Sequence, residues 1–260
     1  LMCFFNKGIP VLKLPLEGAI MSKKQPILGF DNAKTIKGEK YNYQTAIIYL
    51  ASHKQSGYNV CAEASEQCSN DCLFFSGYGA FEFTQEARIK KTKRYFEERE
   101  NFMNQLKHEI DLFIKRSKKK NITPCVRLNG TSDVPFENYK FDDGLNIFES
   151  FKDVQFYDYT VINKRMTKYL NGGMPSNYHL TYSRKEDNQF KVIEALNNGA
   201  NVSVVFEKYL PKTWNGYEVI NGDKHDLRFL DKSNVVVGLT HKKTNGRKQV
   251  ITEDSFIIKQ

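Results

Sequence analysis

The run Val154-Gln155-Phe156-Tyr157-Asp158-Tyr159-Thr160, followed by Tyr178-His179-Leu180-Thr181-Tyr182-Ser183 and then Asn201-Val202-Ser203-Val204-Val205-Phe206, decides the fold class. Each run is rich in β-branched and aromatic side chains, which fit the pleated, half-buried surface of a strand. The intervening stretches, Lys164–Leu170 and Lys185–Asn197, read as helices. Upstream of Val154 the same rhythm begins after Pro124. There Val126-Arg127-Leu128-Asn129 reads as a strand ending in the loop Gly130-Thr131-Ser132-Asp133, with a helix near Gly144–Phe151. Strands alternating with short helices form parallel βαβ units with right-handed crossovers. The expectation is an α/β protein with parallel βαβ units in one domain over residues 21–260.

Outward from this block, Thr84 to Ser117 reads as one long basic helix. Thr84 is its expected N-cap, and Ile89, Phe96, Phe102, Met103, Leu106, Ile110, Phe113 and Ile114 recur at helical spacing. Lys118-Lys119-Lys120 closes it, with cations at the carboxyl end of the macrodipole. Residues 43–50 read as a strand or buried segment. Leu227–Leu230, Val235–Leu239 and Ser255–Ile258 read as short strands near the end.

A chain of 260 residues with 27% charged and 40% hydrophobic side chains has an ordinary globular balance. It holds no apolar run of about 20 residues, so no membrane helix is expected. Prolines and Lys13 interrupt the mildly apolar Leu1–Ile20, and no small-residue cleavage site follows. Met21-Ser22-Lys23-Lys24 resembles a translation start, which makes residues 1–20 a candidate leader or upstream extension. The net charge of +9 is local: between Arg88 and Lys120, twelve Lys/Arg against five Asp/Glu give +7. Arg88, Lys90, Lys91, Lys93 and Arg94 could therefore meet phosphates, although solvated helix faces often carry the same pattern.

Cys61-x6-Cys68-x3-Cys72 carries the chemistry. An odd total of five cysteines, three of them crowded together, points away from a disulfide framework and toward a metal in a reducing compartment. Thiolates bind soft metals, and three sulfurs from one segment suit the face of an iron–sulfur cluster. If Cys68 and Cys72 share a helical turn, their spacing puts both sulfurs on one face. Zinc, with His53 as fourth ligand, and plain core cysteines are the alternatives. Cys125, inside an expected strand, reads as structural, and Cys3 lies in the leader.

With the cysteines stand Val126-Arg127-Leu128-Asn129-Gly130-Thr131-Ser132-Asp133, Tyr157-Asp158-Tyr159-Thr160, Asn177-Tyr178-His179-Leu180-Thr181-Tyr182-Ser183 and Val219-Ile220-Asn221-Gly222-Asp223 through Asp226-Leu227-Arg228. In this order they resemble the phage "gene product eighty-eight" family over roughly residues 28–258. The resemblance implies a viral protein of the infected host's cytoplasm that carries a cysteine-bound cluster. The layout also looks like the radical-SAM core, with early cysteines followed by successive βα units, and this likeness implies a partial (open) βα barrel. It departs from that superfamily in spacing, C-x6-C-x3-C against the usual C-x3-C-x2-C, and in lacking a Gly-Gly-Glu run.

Three cysteine ligands on a 4Fe–4S cluster (3Fe–4S after oxidation) would leave one iron open. Chemistry in parallel barrels gathers at the carboxyl ends of strands. Arg127, Asp133 and Asp158 are accordingly the candidate catalytic residues, with Arg127 orienting a carboxylate or phosphate and an aspartate as general base. Asn129, Thr131, Ser132, Ser183, Glu207 and His225 are the candidate substrate contacts. Arg127 and Asn129 are expected on one strand face, and His179 at the far end from the chemistry. The leading expectation is an iron–sulfur-dependent hydrolase of a small ester, thioester or phosphate. A radical enzyme with SAM on the open iron, and a non-catalytic redox or nucleic-acid-associated module, are the other two. Serine-nucleophile, P-loop and zincin motifs are absent.

Overall fold

The computed structural model describes residues 25–30, 32, 35–244, 246–247 and 249–260. The candidate leader and its Cys3 lie outside them. The described strands are β1 (Leu28–Gly29), β2 (Tyr43–Ile48), β3 (Thr123–Arg127), β4 (Gln155–Thr160), β5 (Tyr178–Ser183), β6 (Val202–Phe206), β7 (Thr213–Trp214), β8 (Tyr217–Asn221), β9 (Val236–Thr240), β10 (Ile251–Thr252) and β11 (Ile257–Ile258). The α-helices are α1 (Glu66–Asn70), α2 (Glu82–Glu97), α3 (Arg99–Lys119), α4 (Ile147–Ser150), α5 (Asn163–Leu170) and α6 (Gln189–Asn197).

The strands form one 11-stranded, mostly parallel sheet that stays open. From β2 to β6 neighbours follow chain order and run parallel, and β9 continues on the far side of β6. Antiparallel pairing is confined to the edges, β1 on β2 and the β7–β8 hairpin. Beyond Ser203 the short β11 takes the place of β5 beside β6, pairing Ile257 with Val205 and Ile258 with Phe206.

Alternation along the strands sorts two faces. Ala46, Ile48, Val126, Phe156, Leu180, Val202 and Val204 are buried in one cluster with Phe102, Met103, Leu106 and Ile110 of α3. Each such large side chain withdrawn from water contributes roughly 1.5–3 kcal/mol. The opposite face carries Cys125 and Tyr157 in a separate buried cluster with Leu227.

The single long helix resolves into α2 and α3, because Glu98 leaves the helical region at φ −127°, ψ 45°. At this break the Arg99 guanidinium donates to Tyr95 O at 2.7 Å, the acceptor that its own backbone N–H would otherwise use. Phe81, not Thr84, occupies the N-cap of α2. The expected strand at Leu227–Leu230 is instead a 3₁₀ turn over Arg228–Leu230. The β7–β8 hairpin was missed despite its Asn215-Gly216 turn, where both residues have positive φ (47° and 83°), as a tight primed turn requires.

Candidate functional site

The connection after β2 carries all three clustered cysteines and returns across the carboxyl ends of the sheet. Asp133 N donates to Val60 O at 2.8 Å, Thr131 Oγ1 to Leu50 O at 2.5 Å, and Asn163 N to Glu63 Oε2 at 3.3 Å. Beyond β5, Glu186 accepts from Ser65 Oγ at 2.6 Å and from Gln67 N at 3.0 Å. Phe256 N donates to Gln67 Oε1 at 2.8 Å, and Arg247 to Asn70 Oδ1 at 2.9 Å. The segment is thus tied to the loops after β3, β4 and β5 and to the C-terminal region.

Cys68 sits in α1, whose N-cap Ser65 accepts from Cys68 N at 3.3 Å. Cys72 lies past the end of that helix, so the expected shared turn is not formed. The three thiols nevertheless lie within electrostatic reach of one another: Cys72 raises Cys61, and both raise Cys68. Burial is the main cause in every case. It pushes Cys61 up to about 12, Cys68 well above the usual thiol range, and Cys72 upward. Opposing it, the His53 peptide N–H faces Cys61, and the Phe74 N–H, Ser52 hydroxyl, Arg88 and Arg247 face Cys72. His53 holds a left-handed backbone (φ 46°) to present that N–H.

Among the described residues, no group of three or more His, Cys, Asp and Glu side chains is arranged to hold a metal ion. The donor set suits a larger anionic group better than one ion. It offers three soft sulfurs, N–H groups directed at Cys61 and Cys72, and the half-buried Arg88 beside Cys72. Arg88 Nη1 is buried without a hydrogen-bond partner. Its guanidinium lies 4.6 Å from the Tyr49 ring centroid and 5.7 Å from that of Phe74. Gly79 makes room for it: a Cβ there would stand 2.8 Å from Leu73 O and Phe74 O and 3.1 Å from Arg88 Nη1.

The remaining candidates separate. Asn129 and Asp158 belong to a network on the helix side of the sheet. Asp158 accepts from Asn129 N (2.7 Å), Asn129 Nδ2 (3.1 Å) and Tyr178 OH (2.9 Å). Burial pushes it up to about 6, against the pull of Arg127 and these donors. Asp133 takes Arg165 (2.5 Å), Thr160 Oγ1 (2.9 Å) and Val161 N (2.8 Å), while Arg165 also pairs with Glu137 (2.8 Å). Both candidate bases are therefore enclosed by donors. Ser132 Oγ donates to Asn129 Oδ1 at 2.8 Å. Arg127, contrary to the shared-face expectation, looks the other way and pairs with Asp226 at 2.8 Å.

Ser183 Oγ accepts from Ser203 Oγ at 3.0 Å. Glu207 follows β6, and its buried Oε2 has no hydrogen-bond partner. His225 stacks edge-on against Tyr41 (4.6 Å), which precedes β2, and so belongs to the amino-terminal edge. His179 is the second residue of β5, at the end away from the cysteines, and burial lowers it to about 4. Cys125 is buried against Thr45 Oγ1 at 3.2 Å and Tyr157. Two open hollows of about 660 and 450 Å³ flank Gly172–Pro175, ahead of β5 and away from the cysteines.

Of the basic residues opening α2, only Lys90 and Lys93 are exposed. Lys91 donates to Ile27 O at 2.7 Å, Arg94 to Gln25 O at 3.2 Å, and Arg88 turns inward. Sequence reading missed the anchors Glu186 and Arg247 and the inward turn of Arg88. Lone charges in a basic stretch carry no mark of which way they point.

The molecule is defined by an open, mostly parallel α/β sheet whose carboxyl edge is capped by a cysteine-bearing segment. The chain belongs to the bacteriophage family described as Gene product 88, whose model matches residues 24–258. None of the curated proteins and none of the solved structures matches it. No helix among the described residues is long and apolar enough to cross a membrane.

Proposed function

We propose that Cys61, Cys68 and Cys72 hold a 4Fe–4S cluster with one open iron, in a radical-SAM-type enzyme acting on a small molecule in the infected cell's cytoplasm. One observation carries the reading. The cysteine segment is the connection after the first of a consecutive series of parallel strands, and it folds back over their carboxyl ends. Such a cluster supplies a single electron to a cofactor bound at its open iron. The chain's part is to exclude water from the sulfurs, to stabilise them through the His53 and Phe74 N–H groups, and to place Arg88 beside Cys72. Arg127 and Tyr159, behind the cysteines on the strand face opposite the helices, are positioned to orient substrate.

Hydrolysis at the open iron is the second reading. The Glu207 Oε2 without a hydrogen-bond partner favours it, as an acceptor available to a base whose other oxygen faces Lys208 at 3.5 Å. The enclosure of Asp133 and Asp158 places it behind the radical reading.

Anaerobic purification with iron and sulfide analysis and EPR, on wild type and Cys68→Ala, tests the cluster. Expected are about four irons and four sulfides per chain and a reduced-state signal lost in the variant. Zinc without sulfide, or no metal, would overturn the proposal. Dithionite plus SAM should then yield 5′-deoxyadenosine. Ester turnover without that product, abolished by Glu207→Gln, would instead select hydrolysis.

A further inference from the structure

Behind the cysteine segment, on the strand face opposite the helices, lies a layer of arginines and hydroxyls. Arg127 lies 4.7 Å from the Tyr159 ring centroid and within electrostatic reach of Tyr49, whose ring centroid is 4.6 Å from the Arg88 guanidinium. Thr181 pairs with Tyr159 in register and shares its face. Arg228, fully buried, is coupled to Tyr159 and Tyr157. In charge, Arg127 is balanced by Asp226 at 2.8 Å and Arg228 by Asp231 at 3.2 Å. Arg88 has no carboxylate partner among the described residues.

The same layer holds hydrogen-bonding atoms with nothing to bond. Arg88 Nη1, Arg127 Nε, Arg228 Nε, Tyr159 OH and Thr181 Oγ1 are all buried and partnerless. Thr181 and Arg228 are fully buried, and Arg127 is 9% exposed. Each can donate, and three are nitrogens that can only donate. Leaving such groups unsatisfied is costly, so a cluster of them calls for an acceptor. One unbalanced cation beside a set of orphaned donors matches one oxyanion.

We propose that Arg88, with Arg127 Nε and Tyr159 OH, binds the carboxylate or phosphate of a ligand that enters beneath Cys72. This goes beyond the cluster reading, because the donors belong to the chain whether or not the cysteines carry metal. It names the substrate class as an oxyanion-bearing molecule and makes Arg88 a binding residue.

The test follows arginine side-chain Nε–Hε signals by NMR during separate titrations with acetate and inorganic phosphate, against chloride at equal ionic strength. The chains compared are wild type, Arg88→Gln, Arg88→Lys and Tyr159→Phe, each metal-free and iron-reconstituted. Saturable shifts at Arg88 and Arg127, but not at Arg99 on the far side of α2, are expected in the metal-free protein. Tyr159→Phe should weaken binding about fivefold, the worth of one hydrogen bond. Arg88→Gln should abolish it and Arg88→Lys should restore part, which separates lost charge from lost fold. Saturation by acetate alone assigns a carboxylate, and by phosphate alone a phosphate. Two results would overturn the inference: shifts that persist in Arg88→Gln, or an Arg88 signal that responds to cluster loading and to neither anion. Absence of iron in wild type would sink the cluster reading and leave this result untouched.

Discussion

Two buried polar assemblies sit on opposite sides of the same sheet, and they differ in whether their hydrogen bonds are complete. On the helix side, Asp133, Glu137, Asp158, Arg165, Asn129 and Tyr178 exchange bonds until each carboxylate is surrounded by donors. On the other side, Arg88, Arg127, Tyr159, Thr181 and Arg228 bury donors that reach nothing. A completed network fixes loops and costs dearly to break. An incomplete one is stable enough to persist and ready to be completed by something else. The acid residues at these strand ends are enclosed by donors, whereas Arg88, beside Cys72, keeps a buried donor without a partner.

The sharpest way to break this contrast is to remove one arginine from each side. Arg165→Met strands two carboxylates, Asp133 and Glu137, in the interior. It should cost about 3–5 kcal/mol in urea unfolding, the usual penalty for leaving a buried charge uncompensated. Arg88→Gln removes a cation that has no anion, so its cost should stay within about 1 kcal/mol. Equal losses for the two would erase the distinction.

Asp158 sharpens it by pH. Its folded-state pKa of about 6 stands above the ordinary value of 3.8. The folded chain then binds more protons than the unfolded one between those values, and the Asp158 contribution falls as pH rises from about 4 to about 6. Two units correspond to about 3 kcal/mol. Wild type should lose roughly that much relative to Asp158→Asn across the window and hold steady above it. A flat difference would mean that the donors around Asp158 fully offset its burial.

Gly79 tests the seat of Arg88. A methyl group there meets two carbonyl oxygens at 2.8 Å, and backbone cannot yield as a flexible side chain does. Gly79→Ala should cost about 1–3 kcal/mol and lower iron loading, because Leu73 and Phe74 follow directly on Cys72. Full loading with unchanged stability would show that the segment shifts freely and that Arg88 is not held in place.

The parallel βα succession from β3 to β6 was legible because it rests on local signals, β-rich runs at regular spacing. Facing was not. Arg127 and Asn129, two positions apart, were expected side by side, yet β3 ends at Arg127 and Asn129 swings to the helix side to hold Asp158. Alternation holds only while a strand lasts, and sequence places strand ends poorly. Asp133 and Asp158 drew attention as carboxylates at strand ends, but Arg165, the partner of Asp133, comes from α5, and Tyr178, a donor to Asp158, comes from β5, beyond the reach of any spacing rule. Glu98 likewise gave no warning of the helix break.

The smallest effect concerns the cysteines themselves. Cys125 is fully buried deep in β3, held by Thr45 and the Gln44 carbonyl at 3.5 Å, and belongs with Tyr157 and Leu227 in a cluster that excludes the other three sulfurs. Replacing it with alanine removes one small side chain from a packed layer, a change worth roughly 1 kcal/mol, and should leave iron content and EPR signal as in wild type. Cys61→Ala and Cys72→Ala should each lose both, at comparable cost to stability in the metal-free chain. Since all four described thiols are shifted upward by burial, burial cannot be what separates the proposed ligands from the packing cysteine. The separation lies in company: three sulfurs near one another, with N–H groups and Arg88 beside them, against one sulfur among a threonine, a tyrosine and a leucine. A Cys125→Ala chain that loses its iron would place the fourth sulfur in the site and close the open iron on which both catalytic readings depend.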